Sequence, residues 1–284
     1  MGTESGRCFG CAEATPGWLA AYRSANGRAV AAFVLLGLSA AVSAWVVVID
    51  LWSDTILGRL LDGAGDVGAD EVASLHTLAT GVNTFSIVVM LATAVVFILW
   101  FHRVRGNADL LVPNGHRLGR GWTIGSWFTP IVLLWFPWQL MVDCWQASAP
   151  LDADGRRRTL SQRVLVLWWS TWIGSLLVGR YADSVLKSAY AAVDGNLEEL
   201  RSAVRVEAAG AALRLVAAVA AIVVVHRLTA MQQARRADVN PIAVRAAQLA
   251  AERSRAPLAA VAPAAAPASP EVPRDAAPQG QPPA

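Results

Sequence analysis

The chain has 284 residues, 55% hydrophobic and 16% charged, with a mean hydropathy of +0.42 and a formal net charge of +3. An ordinary soluble domain carries about a quarter charged residues, so the excess apolar surface must face lipid. The modest positive charge sits beside hydrophobic segments instead of along one face, which argues against a nucleic-acid-binding surface and for contact with a membrane surface.

Residues 1–27 read as a flexible arm holding Cys8-Phe-Gly-Cys11. The C-x-x-C spacing supplies half of a tetrahedral zinc site, two thiolates on one tight turn. No second pair follows, so zinc would need a second chain, and an unmetallated arm is the preferred reading. With Cys144 there are three cysteines, too few for a disulfide framework.

The membrane domain is expected over residues 28–236, an all-α polytopic helical bundle with four or five hydrophobic segments. The first, 29–49, and the second, 81–101, are each about 20 residues and so about 30 Å of helix, the thickness of the hydrocarbon layer. The loop between them is acidic, with Asp54, Asp62, Asp66, Asp70 and Glu71 against Arg59. The third segment, 121–145, is long enough to span but contains Pro130 and Pro137, so it is expected to be kinked or broken. The fourth, 164–179, is about 16 residues, roughly 24 Å, and needs snorkelling arginines or local thinning to cross. Residues 181–205 read as a mixed polar helix, with Leu186, Tyr190, Val193, Leu197 and Leu200 at helical spacing. The fifth segment, 208–228, is Ala-rich and contains Arg214. Residues 237–284 read as an Ala/Pro-rich, mostly disordered tail with one short helix after Pro241.

Basic residues in short loops stay in the cytoplasm. Arg7, Arg23 and Arg28 precede the first segment, and Arg103, Arg105, Arg117 and Arg120 follow the second, so the N-terminus is expected inside. If segment 121–145 crossed, Arg156, Arg157, Arg158 and the C-terminal arginines would lie outside, against the rule. A re-entrant segment keeps both groups inside and is favoured on charge. Its length and apolar character favour a fifth crossing.

Three stretches carry a family resemblance: Arg105-Gly-Asn107, the Trp/Pro-rich GWTIGSWFTPIVLLWFPWQL, and VVHRLTAMQQAR at the end of the last helix. With these the chain, from about Arg28 to Arg236, resembles the actinobacterial membrane proteins called domain of unknown function 4328. The resemblance implies a multi-pass protein of a bacterial plasma membrane and brings no functional residues with it.

Gln139, Asp143 and Arg214 are candidates for an intramembrane polar site, since charge at membrane depth is costly. Asp143 and Arg214 are expected to pair with each other or to anchor at the interface. Trp127, Pro130, Trp135, Pro137 and Trp138 could wall a cavity where unwound backbone offers carbonyls, as in transporters. Interfacial anchoring and packing is the preferred account of them. Gly37 with Ala41, and Ala217 with Ala221, have the spacing that lets helices approach closely. The four histidines are scattered. No catalytic motif is present, so the expected activity is not that of an enzyme and no cofactor is expected. The leading expectation is a scaffold or partner-binding protein whose partners are the lipid bilayer and another copy or another membrane protein, not nucleic acid. The alternative is a small channel or transporter with its site at the Pro130/Pro137 segment.

Overall fold

The computed structural model describes residues 21–63, 67–152, 154–191 and 196–255. Their order is α1 (Asn26–Leu61), α2 (Ala69–Leu111), α3 (Trp122–Gly125), a 3₁₀ turn (Val132–Leu134), α4 (Phe136–Ala147), α5 (Arg163–Ala191) and α6 (Leu197–Arg255). Among the described residues the only strand-like pairing is an isolated bridge between Leu151 and Arg157. Helix is what an apolar chain adopts when its backbone must satisfy itself without water. The hydroxyls inside these helices follow the same logic. Ser53, Thr77, Thr84 and Thr93 donate to the carbonyls of Ile49, Ala73, Thr80 and Val89, one turn back.

The four long helices alternate in direction, which can be read from the pairs that bridge them. Along α1 and α2, Arg28 donates to the Leu99 carbonyl, Ser39 meets Thr93 and Arg59 meets Glu71, so numbers rise on one helix as they fall on the other. Along α1 and α6 the pairs are Asp54 with Arg201, and Phe33 with His226. Leu213 of α6 lies against Gly174 of α5, and Val178 of α5 against Gly210 of α6. These contacts bring the apolar stretches of α1, α2, α5 and α6 to one level. One end of the bundle then gathers Arg23, Arg28, Arg103, Arg105, Arg117 and Arg120; the other gathers Asp50, Asp54, Glu71, Glu198, Glu199 and Glu207.

Among the described residues three helices are long and apolar enough to cross a membrane: Asn26–Leu61, Ala69–Leu111 and Leu197–Ala237. α5 is not among them, because Arg163, Arg180 and the polar Ser, Thr and Trp positions dilute its apolar run. α6 is the central helix, with 44% of its apolar window buried against 22% for α2. Val34, Phe85, Val88, Leu91 and Val95 remain exposed by half or more on the outer faces of α1 and α2. So broad an apolar surface belongs in lipid.

Two segments depart from expectation. Among the described residues of 181–205 there is no separate helix. Residues 181–191 continue α5, and Asn196 starts α6 by accepting the N–H groups of Glu198 and Glu199 on its side-chain oxygen, an N-cap ahead of an acidic first turn. Val193 lies outside the described residues. α6 also runs past the boundary expected at 236, through Pro241 to Arg255, so 237–255 are helical instead of tail. Residues 256–284 lie outside the described part.

Candidate functional site

The stretch 121–147 is three short elements separated by turns, not one helix. Pro137 sits in the first turn of α4, where a missing N–H costs nothing. The chain leaves α2 at the basic end and returns there. Arg117, before the hairpin, donates to Asp143, near its close, from Nη2 at 2.8 Å, from Nε at 3.0 Å and from its backbone N–H at 3.2 Å. In between, Trp127 packs edge-on against Phe97 and Trp172, and Trp138 lies against Trp169. The hairpin thickens one half of the bundle, and the largest core lies there, around the fully buried Trp100, Phe101, Val104, Leu140, Met141 and Leu228.

A polar seam runs through that core. Gln232 of α6 is 1% exposed. Its Nε2 donates to the Val104 carbonyl at 2.9 Å and to Ser148 Oγ at 3.1 Å, while its Oε1 accepts from Asn107 Nδ2 at 3.1 Å. Asn107 Nδ2 also donates to the Arg23 carbonyl, and Trp100 Nε1 donates to Thr229. Buried polar groups cost little only when satisfied, so this seam fixes the lateral register of α2, α6, the arm and the loop after α4.

Arg105, Gly106 and Asn107 point to different neighbours, and each holds one. The buried Arg105 donates to Asp109 at 2.7 Å and to the Leu118 carbonyl at 2.6 Å, tying down the 112–120 turn. Gly106 leaves room for Arg120: a Cβ there would lie 2.6 Å from Arg120 Nη2. Within the turn, Asn114 takes a left-handed φ of 58°, which asparagine tolerates better than most residues. A Cβ on Gly115 would fall 2.3 Å from Val112 Cγ1. The His116 ring is buried beside Asp109, with Nε2 3.5 Å from the carboxylate. Burial holds its pKa below the usual imidazole range, and the Arg105 charge pushes the same way against the Ala108 carbonyl and Asp109. Across the hairpin, Thr123 donates its hydroxyl to the Arg120 carbonyl, so its oxygen accepts from Nδ1–H of His102 at 2.8 Å.

Beside this clamp lies a cavity of about 290 Å³ lined by Val112, Gly115, Asp143, Gln146, Ala147, Arg157, Arg158 and Thr159. Arg157 donates to the Leu111 carbonyl, capping the C-terminal end of α2.

A family profile described as domain of unknown function 4328 matches residues 64–230, more than half of the chain. The chain belongs to that family. No curated protein and no solved structure shows significant similarity to it. The 4328 match begins after α1 and ends two residues before Gln232, so it is shorter than the stretch from Arg28 to Arg236 expected from sequence. It takes in Arg105, Gly106, Asn107, the hairpin and the cavity.

The candidates read from sequence are not gathered into one site. Asp143 and Arg214 do not pair: Asp143 holds Arg117 at the basic end, and Arg214 Nη2 meets Glu207 at 2.6 Å towards the acidic end. Gln139 contributes its backbone carbonyl to Arg117. None of Trp127, Pro130, Trp135, Pro137 and Trp138 lines the cavity. Pro130 and Trp135 are exposed, Pro137 is buried in α4, and Trp127 and Trp138 are packing residues. Ala217 and Ala221 are buried, whereas Gly37 and Ala41 face outward. Cys8 and Cys11 lie outside the described residues, and among those described no three metal-ligating side chains cluster. Sequence reading missed Gln232. Its signal was the Gln232-Gln233 amide pair one turn past an apolar run, a polar group placed where it can hydrogen-bond to a neighbouring helix.

Proposed function

We propose that the chain crosses a membrane four times, through α1, α2, α5 and α6, with the 121–147 hairpin entering and leaving at the basic end. The supporting observation is register: the contacts between helices bring the apolar stretch of α5 level with those of α1, α2 and α6. The Arg117–Asp143 bridge closes the hairpin on the side it started from. The positive-inside rule puts this end in the cytoplasm. Reporters fused after Glu71 and after Arg236 test the reading, with an external first fusion and a cytoplasmic second one expected. An external second fusion means five crossings.

The function this arrangement supports is non-catalytic: the basic end holds a partner at the cytoplasmic face. The observation that carries it is how the polar groups are used. Asn107, Gln232, Arg105, Asp109 and Asp143 are spent on internal bonds that make a rigid platform, and arginines surround the platform. A photo-crosslinking residue at exposed Asn114, compared with one at exposed Gly68 of the acidic end, should give a discrete protein adduct in native membranes from position 114 alone. Equal adducts from both positions, or none from either, would overturn the partner-holding reading.

A further inference from the structure

Three places in the molecule carry charge that the internal architecture does not account for. Towards the acidic end, Asp50 faces Glu207 and Arg214, but Asp50 is only half-buried and Glu207 already has its ion pair. The cavity beside Asp143 brings Arg157 and Arg158 together, yet Arg157 is engaged in capping α2. The third place is a row of arginines on one side of α2.

That side rises from Val95 to Leu99, Arg103, Gly106 and Asn107, successive turns of one helix face. Every upper level brings an arginine. Arg28 Nη1 reaches over from α1 to the Leu99 carbonyl, 3.0 Å away. Arg103 stands on the face itself. The Arg120 guanidinium lies against the α-carbon of Gly106, and the backbone N–H of Arg23 meets Asn107 Oδ1. Arg23, Arg28 and Arg120 are all near enough to act electrostatically on Arg103. Among the described residues no carboxylate forms an ion pair with any of the four. Arg103 Nε is shielded from solvent and has no hydrogen-bond acceptor. A donor in that condition is costly unless something fills the place.

Directly below the arginines the same face turns apolar and exposed, Leu99 by 46% and Val95 by 58%. Cations stacked over a bare apolar strip, at the level where the apolar stretches end, complement one kind of molecule: a phosphodiester headgroup with acyl chains beneath it. A free phosphate would satisfy the arginines but make no use of the strip directly beneath them. Guanidinium forks match phosphate oxygens in geometry as well as in charge. We propose that Arg23, Arg28, Arg103 and Arg120 form a binding site for the phosphate of an anionic phospholipid, whose chains lie along Val95 and Leu99. The proposal rests on the placement of the basic end at the membrane boundary, and it does not require the protein partner.

The test uses the full-length protein in nanodiscs, with phosphatidylglycerol or phosphatidylcholine as the added lipid and lipid retention read by native mass spectrometry. Phosphatidylglycerol should be retained in preference. The double variant Arg103→Gln/Arg120→Gln should lose about 25-fold in affinity for it, the effect of two boundary arginines. Arg201→Gln at the other end should change nothing. Thermal stability of each variant in pure phosphatidylcholine reports whether it folds. If the double variant does not, the single Arg120→Gln, whose side chain is exposed, replaces it with about a fivefold loss expected. Equal retention of the two lipids, or unchanged affinity in a folded variant, would overturn the proposal. So would millimolar inorganic phosphate displacing the lipid, because the occupant would then be free phosphate. Adducts from position 114 with no lipid preference would sink this site and spare the partner-holding reading; lipid preference without adducts would do the reverse.

Discussion

The two ends of the bundle handle charge in opposite ways. Towards the acidic end each of Arg59, Arg201, Arg205 and Arg214 meets a carboxylate, and the cores there are two small clusters around Val42, Val46, Val89 and Ala211, and around Ile49, Ile56 and Leu75. At the basic end the hairpin adds a third layer, the polar groups are buried in mutual hydrogen bonds, and among the described residues no carboxylate pairs with Arg23, Arg28, Arg103 or Arg120. Charge neutralised on the surface serves the fold and adds little to it. Charge left over next to a rigid core is available to something else. The difference puts the buried hydrogen bonds in the seam and leaves the proposed recognition to the arginines around it.

The comparison breaks most readily at Gln232. Replacing it with Ala removes three hydrogen bonds and leaves Asn107 and Ser148 short of a partner inside a core, at a cost of about 3 kcal/mol. The measurement is denaturant or thermal unfolding of purified protein, where a drop of several degrees is expected. A loss below about 1 kcal/mol would mean that water replaces the amide, and the seam would not be the organising feature of this half.

How far this was legible in the sequence follows from the same physics. Apolar runs of bilayer length mark α1, α2 and the centre of α6 because hydrocarbon thickness dictates them. The basic loops mark one end because arginine distribution does. The division of 121–147 into short elements is consistent with its two prolines. What the runs cannot encode is which polar side chain meets which across helices. Arg117 with Asp143, and Asn107 with Gln232, are set by packing, so from sequence Asp143 could be given only two readings, a pairing with Arg214 or an anchor at the interface. The split of 181–205 was readable in Asn196 followed by Glu198 and Glu199, a capping signal outweighed by the apolar spacing on either side. The continuation of α6 past Arg236 could not be read, because Pro241 ordinarily ends a helix.

The second way to sharpen the comparison is pH. A histidine whose folded pKa lies below its unfolded value binds fewer protons folded than unfolded, so stability is held at neutral pH and falls as pH drops through the unfolded value near 6.5. The 112–120 turn should therefore loosen on mild acidification, seen as faster proteolysis between pH 7.5 and 5.5. His116→Gln should flatten the dependence. If proteolysis of the variant still accelerates to the same degree, the turn is governed by other groups.

A smaller effect is expected at the acidic end. Asp54 accepts from Arg201 Nε at 2.9 Å and from Arg205 Nε at 2.6 Å. Arg205 is 59% exposed, so solvent screens much of that pairing. Asp54→Asn should cost about 0.5–1 kcal/mol, and less at high salt. A loss comparable to that of Gln232→Ala would erase the distinction between the two ends.

Gly106 gives the finest test, because there the two roles of the basic end separate. A Cβ would displace the Arg120 guanidinium, now 2.6 Å and 2.8 Å from that position at Nη2 and Cζ. Arg120 is exposed and its side chain is long, so it can swing aside at small cost. The helix meanwhile gains up to about 1 kcal/mol when Gly becomes Ala. Gly106→Ala should therefore leave the melting temperature unchanged or slightly raised while anionic lipid is held more weakly. A matching fall in both would make Gly106 a packing residue of the α2 clamp. A fall in lipid affinity alone would mean that the glycine serves to seat Arg120, and that the row of arginines along α2 is arranged for a ligand at some cost to the stability of the helix carrying it.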